Sequence, residues 1–299
     1  MQVLTIGVLA LQGGFAEHLQ SLERAAAARK TKPTSAAALR GGADTPGTGA
    51  VATGPASSWP PNNNNNNNNN TQFSFVEVRT PDELALCAAL VIPGGESTTL
   101  SLVAAQSGLL EPLRDFVKKF KKPTWGTCAG LILLSEEASS TKRGGQELVG
   151  GLDVRVHRNH FGRQIESFVT DLELPFLQAD NADPEPPFPA VFIRAPVVES
   201  LLATGNDDKK GGRGTAPPVE VLAVLPGRHA NNEKKAAASQ VGSGLHDEGI
   251  AEPQEGPGDI VALRQGNVFG MSFHPELTND VRIHKWWLDE VDKVMSQAV

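Results

Sequence analysis

The sequence predicts an α/β protein with three layers, in which a mostly parallel, doubly wound sheet lies between helices. Short apolar runs of strand length alternate with helical segments along the first half of the chain. Such alternation favours parallel strands that are joined by right-handed crossovers. Aromatic residues make up only 5% of the composition, so the core must consist mainly of Leu, Val, Ile and Ala.

The elements of the first half follow from hydrophobic spacing. Residues 3–9 are continuously apolar, as in a buried strand, and residues 15–29 carry Leu19 and Leu22 at helical spacing. The elements that follow are a strand at 73–78, a short helix at 82–86 behind Pro81, a strand at 89–92, helical segments within 97–121 with Pro112 at a helix start, a strand at 124–127 and a helix at 129–137.

The second half is richer in strands, which we predict at residues 152–158, 167–172, 190–193, 219–225, 260–264 and 268–273. An acidic and apolar helix is expected at 280–295, with Trp286 and Trp287 packed in the core.

Three polar segments interrupt this pattern, at residues 30–72, 205–217 and 226–257. The first is rich in Gly, Pro, Ala, Ser and Thr and ends in a run of asparagines, a composition that cannot bury enough apolar surface to offset its ordering entropy. We interpret all three as disordered or loop insertions at the surface, where extra residues cost little stability. The rest of the chain has the size of one domain, so we expect a single domain over residues 1–299.

Charge and cysteine content exclude several classes of protein. The net charge of -7 argues against nucleic acid as the main partner, because neutralising phosphates requires a basic surface. No apolar stretch reaches the roughly 18 residues of a membrane-spanning helix. Residues 3–14 lack the flanking features of a signal peptide, so we expect that they are not one. Two cysteines cannot form a disulfide framework, so we expect a reducing, cytoplasmic location.

Cys128 is the strongest candidate nucleophile. The sequence GTCAG at 126–130 follows a short strand and precedes a helix, which is the cysteine form of the nucleophile elbow. A helix N-terminus that points at the sulfur favours thiolate, and the N–H of Ala129 is placed to act as an oxyanion donor. A buried, inert cysteine at a strand end is the alternative for this motif alone. Cys87 lacks such a context and is interpreted as a core residue.

His274 and Glu276 are the candidate base and its orienting group. They follow an apolar strand in the sequence MSFHPEL at 271–277. Side chains two residues apart on an extended segment point to the same side, and Pro275 would keep the segment extended. His274 could therefore take the thiol proton while Glu276 fixes its tautomer. The other six histidines are interpreted as structural.

The turn at residues 93–97, with the sequence PGGES, offers a second set of donors. A strand ends there and a helix begins near Ser97, which can cap it. The exposed N–H groups of the turn, with that of Gly95 first, could bind an oxyanion or a carboxylate. The pattern differs from a phosphate-binding loop, which we reject.

Together, PGGES, GTCAG and HPE at 274–276, in this order, resemble a class I glutamine amidotransferase domain, whose sheet is flavodoxin-like. GVLALQG at 7–13, RNHFGRQ at 158–164, FIRAP at 192–196 and SFHPELT at 272–278 resemble the glutaminase subunits of pyridoxal 5'-phosphate synthases. The resemblance covers nearly all of the chain outside the three insertions, which touch none of these motifs.

The resemblance implies specific roles. Cys128 would attack the side-chain amide of L-glutamine to release ammonia and form a glutamyl thioester, which water then hydrolyses. His274 would act as base and acid and Glu276 as its orienting group, while the N–H groups of Gly95 and Ala129 would hold the oxyanion. The implied glutamine-binding positions are Gly95, Glu96, Ser97, Arg158, Ile193 and Arg194. A guanidinium can bind the α-carboxylate of glutamine as a fork, which suits the two arginines.

The resemblance also implies a partner. A glutaminase of this kind is nearly silent alone and is activated by docking to a (β/α)8-barrel synthase subunit that takes up the ammonia. Residues Gln12, Gly13 and Gly14 are the expected contact and gating segment, because they lie at the same edge of the sheet. No cofactor or metal is implied. His157 and His160 are three apart on a predicted strand and so would face opposite sides.

Three other functions stay open at this point. The protein could be the glutaminase of another synthase, such as one for an imidazole, purine or pyrimidine precursor. It could instead be a cysteine hydrolase of γ-glutamyl compounds or peptides that needs no partner. It could also be a catalytically idle interaction module in which the insertions recruit partners.

Overall fold

A computed structural model describes residues 2–30, 71–139, 146–158, 167–178, 185–202, 217–225 and 258–297. The predicted insertion at 226–257 lies wholly outside these residues, as do all of 205–217 except Pro217 and most of 30–72. The first predicted insertion, at residues 30–72, is too long at both ends. The opening helix runs to Lys30, and Thr71 and Gln72 already belong to the next strand, where they pair with Gln2 and Val3.

The first half contains strands and helices in alternation. They are β1 (Gln2–Leu9), α1 (Phe15–Lys30), β2 (Thr71–Val78), α2 (Pro81–Ala85), β3 (Ala89–Ile92), α3 (Ser97–Gln106), α4 (Leu110–Arg114), a π-helical turn (Asp115–Lys119), β4 (Thr124–Thr127) and α5 (Ala129–Leu134). The predicted alternation of strands and helices is confirmed over this half, although α5 is shorter than the helix expected at 129–137.

The second half contains mostly strands. They are β5 (Ser135–Ala138), β6 (Leu152–His157), β7 (Ser167–Leu172), β8 (Phe188–Ile193), β9 (Val197–Leu201), β10 (Val219–Leu225), β11 (Asp259–Gln265) and β12 (Val268–Met271), with 3-10 turns at Pro175–Leu177 and Pro275–Leu277. The chain then forms α6 (Arg282–Gln297).

The strands form one large sheet with a parallel part and an antiparallel part. The order is β2-β1-β3-β4-β12-β11-β9-β6-β5, with β10 paired to β11. The first five strands of this order are parallel to one another, and the pairings of β11 with β12, β9 and β10 are antiparallel. Strands β7 and β8 form a separate hairpin. The predicted α/β fold class with a mostly parallel sheet is confirmed.

One predicted helix was too long, and two strands were not predicted. The helix expected at 129–137 ends at Leu134, because the Ser135 hydroxyl donates to the carbonyl of Ile132 (2.8 Å) and the backbone of Ser135 turns to an extended conformation. Residues Ser135–Ala138 then pair with β6 as a parallel strand. The strand β9 (Val197–Leu201) was not predicted.

Buried apolar residues form a core on each face of the sheet. One core joins the sheet to α1, α6 and the β7–β8 hairpin, and the other joins it to α2, α3, α4, the π-helical turn and α5. Trp125 and Trp287 are fully buried in the first of these cores, which confirms the packing expected for Trp287. Within the described residues, no helix is long and apolar enough to cross a membrane.

Sheet topology brings the candidate motifs together. Strands β1, β3, β4 and β12 are adjacent and parallel, so their carboxyl ends meet at one edge. The segment 12–14 follows β1, the Gly-Gly turn follows β3, Cys128 follows β4 and His274 follows β12. Ligand sites in open α/β sheets lie outside this edge, and all four motifs therefore face one site.

Candidate active site

Cys128 lies at a very sharp turn between β4 and α5. Its backbone angles are φ 48° and ψ −103°, a strained conformation for a residue with a side chain. The helix packs so closely on the sheet that a Cβ on Gly130 would lie 2.0 Å from the carbonyl oxygen of Ile92. The N–H of Cys128 is held by the carbonyl of Met271 (2.8 Å), so β12 fixes the position of the elbow. The predicted strand–turn–helix context of Cys128 is present.

His274 and Glu276 form a buried pair, with Nδ1 of the imidazole 2.8 Å from Oε1 of the carboxylate. The predicted extended segment is wrong in detail, because Pro275–Leu277 form a 3-10 turn and β12 ends at Met271. The turn nevertheless brings the carboxylate back to the ring. The backbone N–H of His274 donates to the carbonyl of Val191 (2.8 Å), which ties the segment to the β7–β8 hairpin.

The electrostatics of this pair favour a charged imidazole. Burial by itself lowers the pKa of His274, but hydrogen bonds to Cys128 and Glu276, together with their charges, raise it to about 10. Burial opposes ionisation of Glu276, yet His18 and His274 bring the pKa of that carboxyl below its ordinary value. A proton taken from the Cys128 thiol would therefore stay on the ring at neutral pH.

The Gly-Gly turn after β3 contacts the segment after β1. The N–H of Gly14 donates to the carbonyl of Gly94 (3.1 Å), and the N–H of Glu96 donates to the side-chain oxygen of Gln12 (2.7 Å). The predicted gating segment thus lies directly on the predicted oxyanion turn. If residues 12–14 moved, these two hydrogen bonds would move the turn as well.

The expectation that Ser97 caps α3 was wrong. The N-cap is Glu96, whose carboxylate accepts the N–H of Thr98 (3.3 Å). Ser97 is the first helical residue, and its hydroxyl donates to the side-chain oxygen of Gln146 (3.0 Å).

The other predicted substrate-binding residues lie in two groups. The guanidinium of Arg158 lies at the start of α3, 3.0 Å from the Thr98 hydroxyl and 3.4 Å from Oε1 of Glu96. The carbonyl oxygen of Ile193 lies 3.9 Å from Sγ of Cys128. The next residue, Arg194, is exposed and has a left-handed backbone, with φ 44°.

Sequence reasoning missed one residue that contacts this site. His18 was interpreted as structural, but its Nε2 lies 3.3 Å from Oε2 of Glu276. No local pattern could have indicated this contact, because the two residues are distant in sequence and His18 is simply a buried position on α1.

Cys87 lies in a different environment from Cys128. It is fully buried, its Sγ–H donates to the carbonyl of Glu83 (3.2 Å), and burial raises the pKa of the thiol to about 11, which the Lys122 charge offsets only in part. Thiolate is therefore scarce at Cys87 at neutral pH.

We expect iodoacetamide at neutral pH to label Cys128 and to leave Cys87 unmodified in the folded protein. Peptide mass spectrometry after a limited reaction measures the two sites separately. The Cys87→Ser variant should keep the full label and the Cys128→Ala variant should lose it. Label at Cys87 in the native protein would contradict the assignment of the reactive thiol.

Among the residues that the structure describes, no group of three or more His, Cys, Asp or Glu side chains could hold a metal ion. His157 ends β6, whereas His160 lies outside the described residues.

Comparison with known proteins identifies a family and several relatives. Residues 8–212 and 236–293 match the profile of the SNO glutamine amidotransferase family. The chain is 37% identical over 295 residues to a probable pyridoxal 5'-phosphate synthase subunit PDX2 of Arabidopsis thaliana, covering 99% of this chain and 89% of that one. It is 40% identical over 216 residues to the pyridoxal 5'-phosphate synthase subunit PdxT of a Nocardioides species, covering 72% and 83%. A crystal structure of a glutamine amidotransferase matches with a TM-score of 0.58 and 30% identity, covering 96% of this chain and 98% of that one.

Proposed function

The chain belongs to the SNO glutamine amidotransferase family, and on that premise we propose that it is the glutaminase subunit of a pyridoxal 5'-phosphate synthase. It hydrolyses L-glutamine to L-glutamate and ammonia, and the ammonia serves the synthesis of pyridoxal 5'-phosphate. The observation that carries this proposal is the meeting of Cys128, His274 and Glu276 at the carboxyl edge of the parallel strands.

The proposed reaction has two halves. In the first, the Cys128 sulfur attacks the side-chain carbonyl of glutamine while His274 takes the thiol proton and gives it to the leaving nitrogen, so that ammonia leaves and a glutamyl thioester remains. In the second, His274 takes a proton from water, the hydroxide oxygen bonds to the carbonyl carbon, and the thiol is regenerated as glutamate leaves. Glu276 holds the imidazole by its Nδ1–H and stabilises the cation formed in each half.

Each half passes through an oxyanion, for which we propose the N–H groups of Ala129 and Gly95 as donors. Ala129 is the first residue of α5, where N–H groups lack partners within the helix. Gly95 lies in the turn that contacts Gln12. The position of its N–H therefore depends on the segment 12–14, which we assign to the partner contact.

We propose that glutamine binds between the start of α3 and the residues after β8. Arg158 and Arg194 provide cations for its α-carboxylate, while Glu96, Ser97 and the Ile193 backbone provide polar groups. The carbonyl oxygen of Ile193 lies 3.9 Å from Sγ of Cys128. This distance supports the proposal that the end of β8 lies beside the bound glutamine.

The proposed partner is the barrel-shaped synthase subunit, which docks over the segment 12–14 and receives the ammonia. The hydrogen bonds from Gly14 and Glu96 support this assignment, because they connect the docking segment to the oxyanion turn. We also propose that one domain carries the whole activity. Two free thiols suit a reducing compartment, so we assign the complex to the cytoplasm.

Glutamine hydrolysis measured alone and with the synthase subunit tests the function. We expect little hydrolysis by the chain alone, strong stimulation by that subunit, and none with Cys128→Ala in either mixture. Labelled external ammonium should compete poorly with glutamine nitrogen during synthesis, because the ammonia passes directly to the partner.

Other outcomes would assign another function. Equal hydrolysis without the partner would contradict the proposal and favour a partner-independent hydrolase of γ-glutamyl compounds. Stimulation only by a different synthase would indicate that the protein is the glutaminase subunit of another amidotransferase. No hydrolysis in any mixture would favour an interaction module.

A further inference from the structure

A buried histidine lies behind the candidate triad, on the far side of Glu276 from the imidazole of His274. His18 is fully buried on α1, and its Nε2 lies 3.3 Å from Oε2 of Glu276 and 3.1 Å from the Thr127 hydroxyl. Its Nδ1 lies 3.1 Å from Nε2 of His284, which is also fully buried on α6. A continuous row of polar groups therefore runs from Cys128 into the core between α1 and α6.

Burial decides the charge of the two inner rings. It lowers the pKa of His18, which the negative charge of Glu276 offsets only in part, and it brings the pKa of His284 well below its ordinary value. Each ring is therefore neutral at physiological pH and carries a single N–H.

The tautomers follow from the carboxylate. An ionised carboxylate only accepts hydrogen bonds, so the N–H of His18 belongs on Nε2, the ring nitrogen that faces the Thr127 hydroxyl and Oε2 of Glu276. Nδ1 of His18 is then an acceptor and takes the Nε2–H of His284. This leaves Nδ1 of His284 without a proton, in agreement with the lack of a hydrogen-bond donor for that atom among the described residues.

Glu276 needs such a donor. Its Oε1 is bound by Nδ1 of His274, whereas its buried Oε2 makes no hydrogen bond of good geometry with the described residues. The contact available to Oε2 is the one with His18. An unsatisfied buried carboxylate oxygen would favour protonation or rotation of the carboxyl group, and either would weaken the support of the imidazolium.

We propose that His18 is a positioning residue for the glutaminase reaction: its Nε2–H holds the second oxygen of Glu276, so that the first stays ionised and aligned on His274. This inference rests on the proposed function. His18 itself touches neither glutamine nor the sulfur and acts through Glu276. Its own orientation is fixed by His284 and by an edge-on contact with Trp125, whose ring centroid is 5.4 Å away.

Two amide substitutions test whether the reaction requires a hydrogen-bond donor at the position of Nε2 of His18. In His18→Gln the amide nitrogen extends to about the position of Nε2 and can still donate to Glu276. In His18→Asn the shorter amide reaches only the position of Nδ1, beside His284. We expect His18→Asn to lower kcat about tenfold with little change in KM, because one hydrogen bond to a charged group is lost, and His18→Gln to retain most of the activity.

The pH profile separates positioning from packing. The charged or titratable groups facing His18 are Glu276, His274 and Glu17, with His284 on its other side. Loss of the donor raises the pKa of Glu276, so the acid limb of the kcat/KM profile should move to higher pH in His18→Asn and stay in place in His18→Gln. Leu22→Ala, a fully buried position one turn further along α1, should lower stability without moving that limb.

The pH dependence of Cys128 alkylation gives a readout that needs neither glutamine nor the partner. In His18→Asn its midpoint should also move upward, because a less well supported imidazolium stabilises the thiolate less. If the wild type hydrolyses no glutamine with the partner, the proposed function fails while this readout still tests His18. Equal profiles for the wild type and His18→Asn, or equal changes in both amide variants and Leu22→Ala, would overturn the inference.

Discussion

Replacing Gly94 by alanine is expected to reduce partner-activated glutamine hydrolysis by about 100-fold while the protein stays folded. A Cβ at this position would lie 2.3 Å from Cε1 and 2.8 Å from Nδ1 of His274, and 3.2 Å from Cβ of Cys128. The imidazole must therefore move by about an ångström, and a displacement of that size at reacting groups costs about 10²-fold. The loss should appear mainly in kcat, because Gly94 contacts the base and the nucleophile.

Gly108→Ala is the matched control. Its Cβ would meet nothing within 4 Å, so this substitution carries only the strain of an alanine at φ +72°, about 1 kcal/mol. We expect both variants to have a lower Tm, because the new Cβ of Gly94→Ala overpacks a buried site, but only Gly94→Ala to have a much lower kcat. A kcat of Gly94→Ala close to that of the wild type would show that the imidazole does not occupy the described position during turnover.

The parts of the site that could be predicted from sequence are those encoded locally. Cys128 and the turn at 93–97 are each preceded by a short buried strand and followed by a helix, so their position at the carboxyl edge follows from chain order. Glu276 could be assigned from its two-residue distance from His274, although the geometry differs. A 3-10 turn, and not an extended segment, brings the carboxylate to the ring.

The parts that could not be predicted depend on contacts between distant residues. The antiparallel half of the sheet is built from pairings such as that of β6 with β9, for which no short pattern exists. The contact of His18 with Glu276 arises because α1 packs against the 3-10 turn Pro275–Leu277, which is far from it in sequence. A histidine on a helix has the same sequence signature whether it faces a carboxylate or an apolar neighbour.

Replacing Glu276 by glutamine is expected to lower kcat about 10⁴-fold, the size of effect seen when a triad carboxylate becomes an amide. Glutamine has the same shape and can still accept the Nδ1–H of His274, but it lacks the charge that stabilises the imidazolium. The pKa of His274, raised to about 10 in part by this carboxylate, should fall, and the pH dependence of Cys128 alkylation measures that change. Glu137→Gln, which replaces a half-exposed carboxylate paired with Arg155, should leave kcat unchanged.

The same substitution should change how stability depends on pH. The pKa of Glu276 is depressed in the folded state, so its contribution is present above its unfolded value near 4.5 and is lost as the pH falls through the folded value. The pKa of His274 is raised, so its contribution is complete below its unfolded value near 6.5 and is lost as the pH rises through about 10. The stability difference between the wild type and Glu276→Gln should therefore be largest between these two unfolded values and decline on both sides. A difference that stays constant from acid to alkaline pH would mean that the pair does not carry opposite charges in the folded protein, and the assignment of Glu276 as the ionised orienting group would then fail.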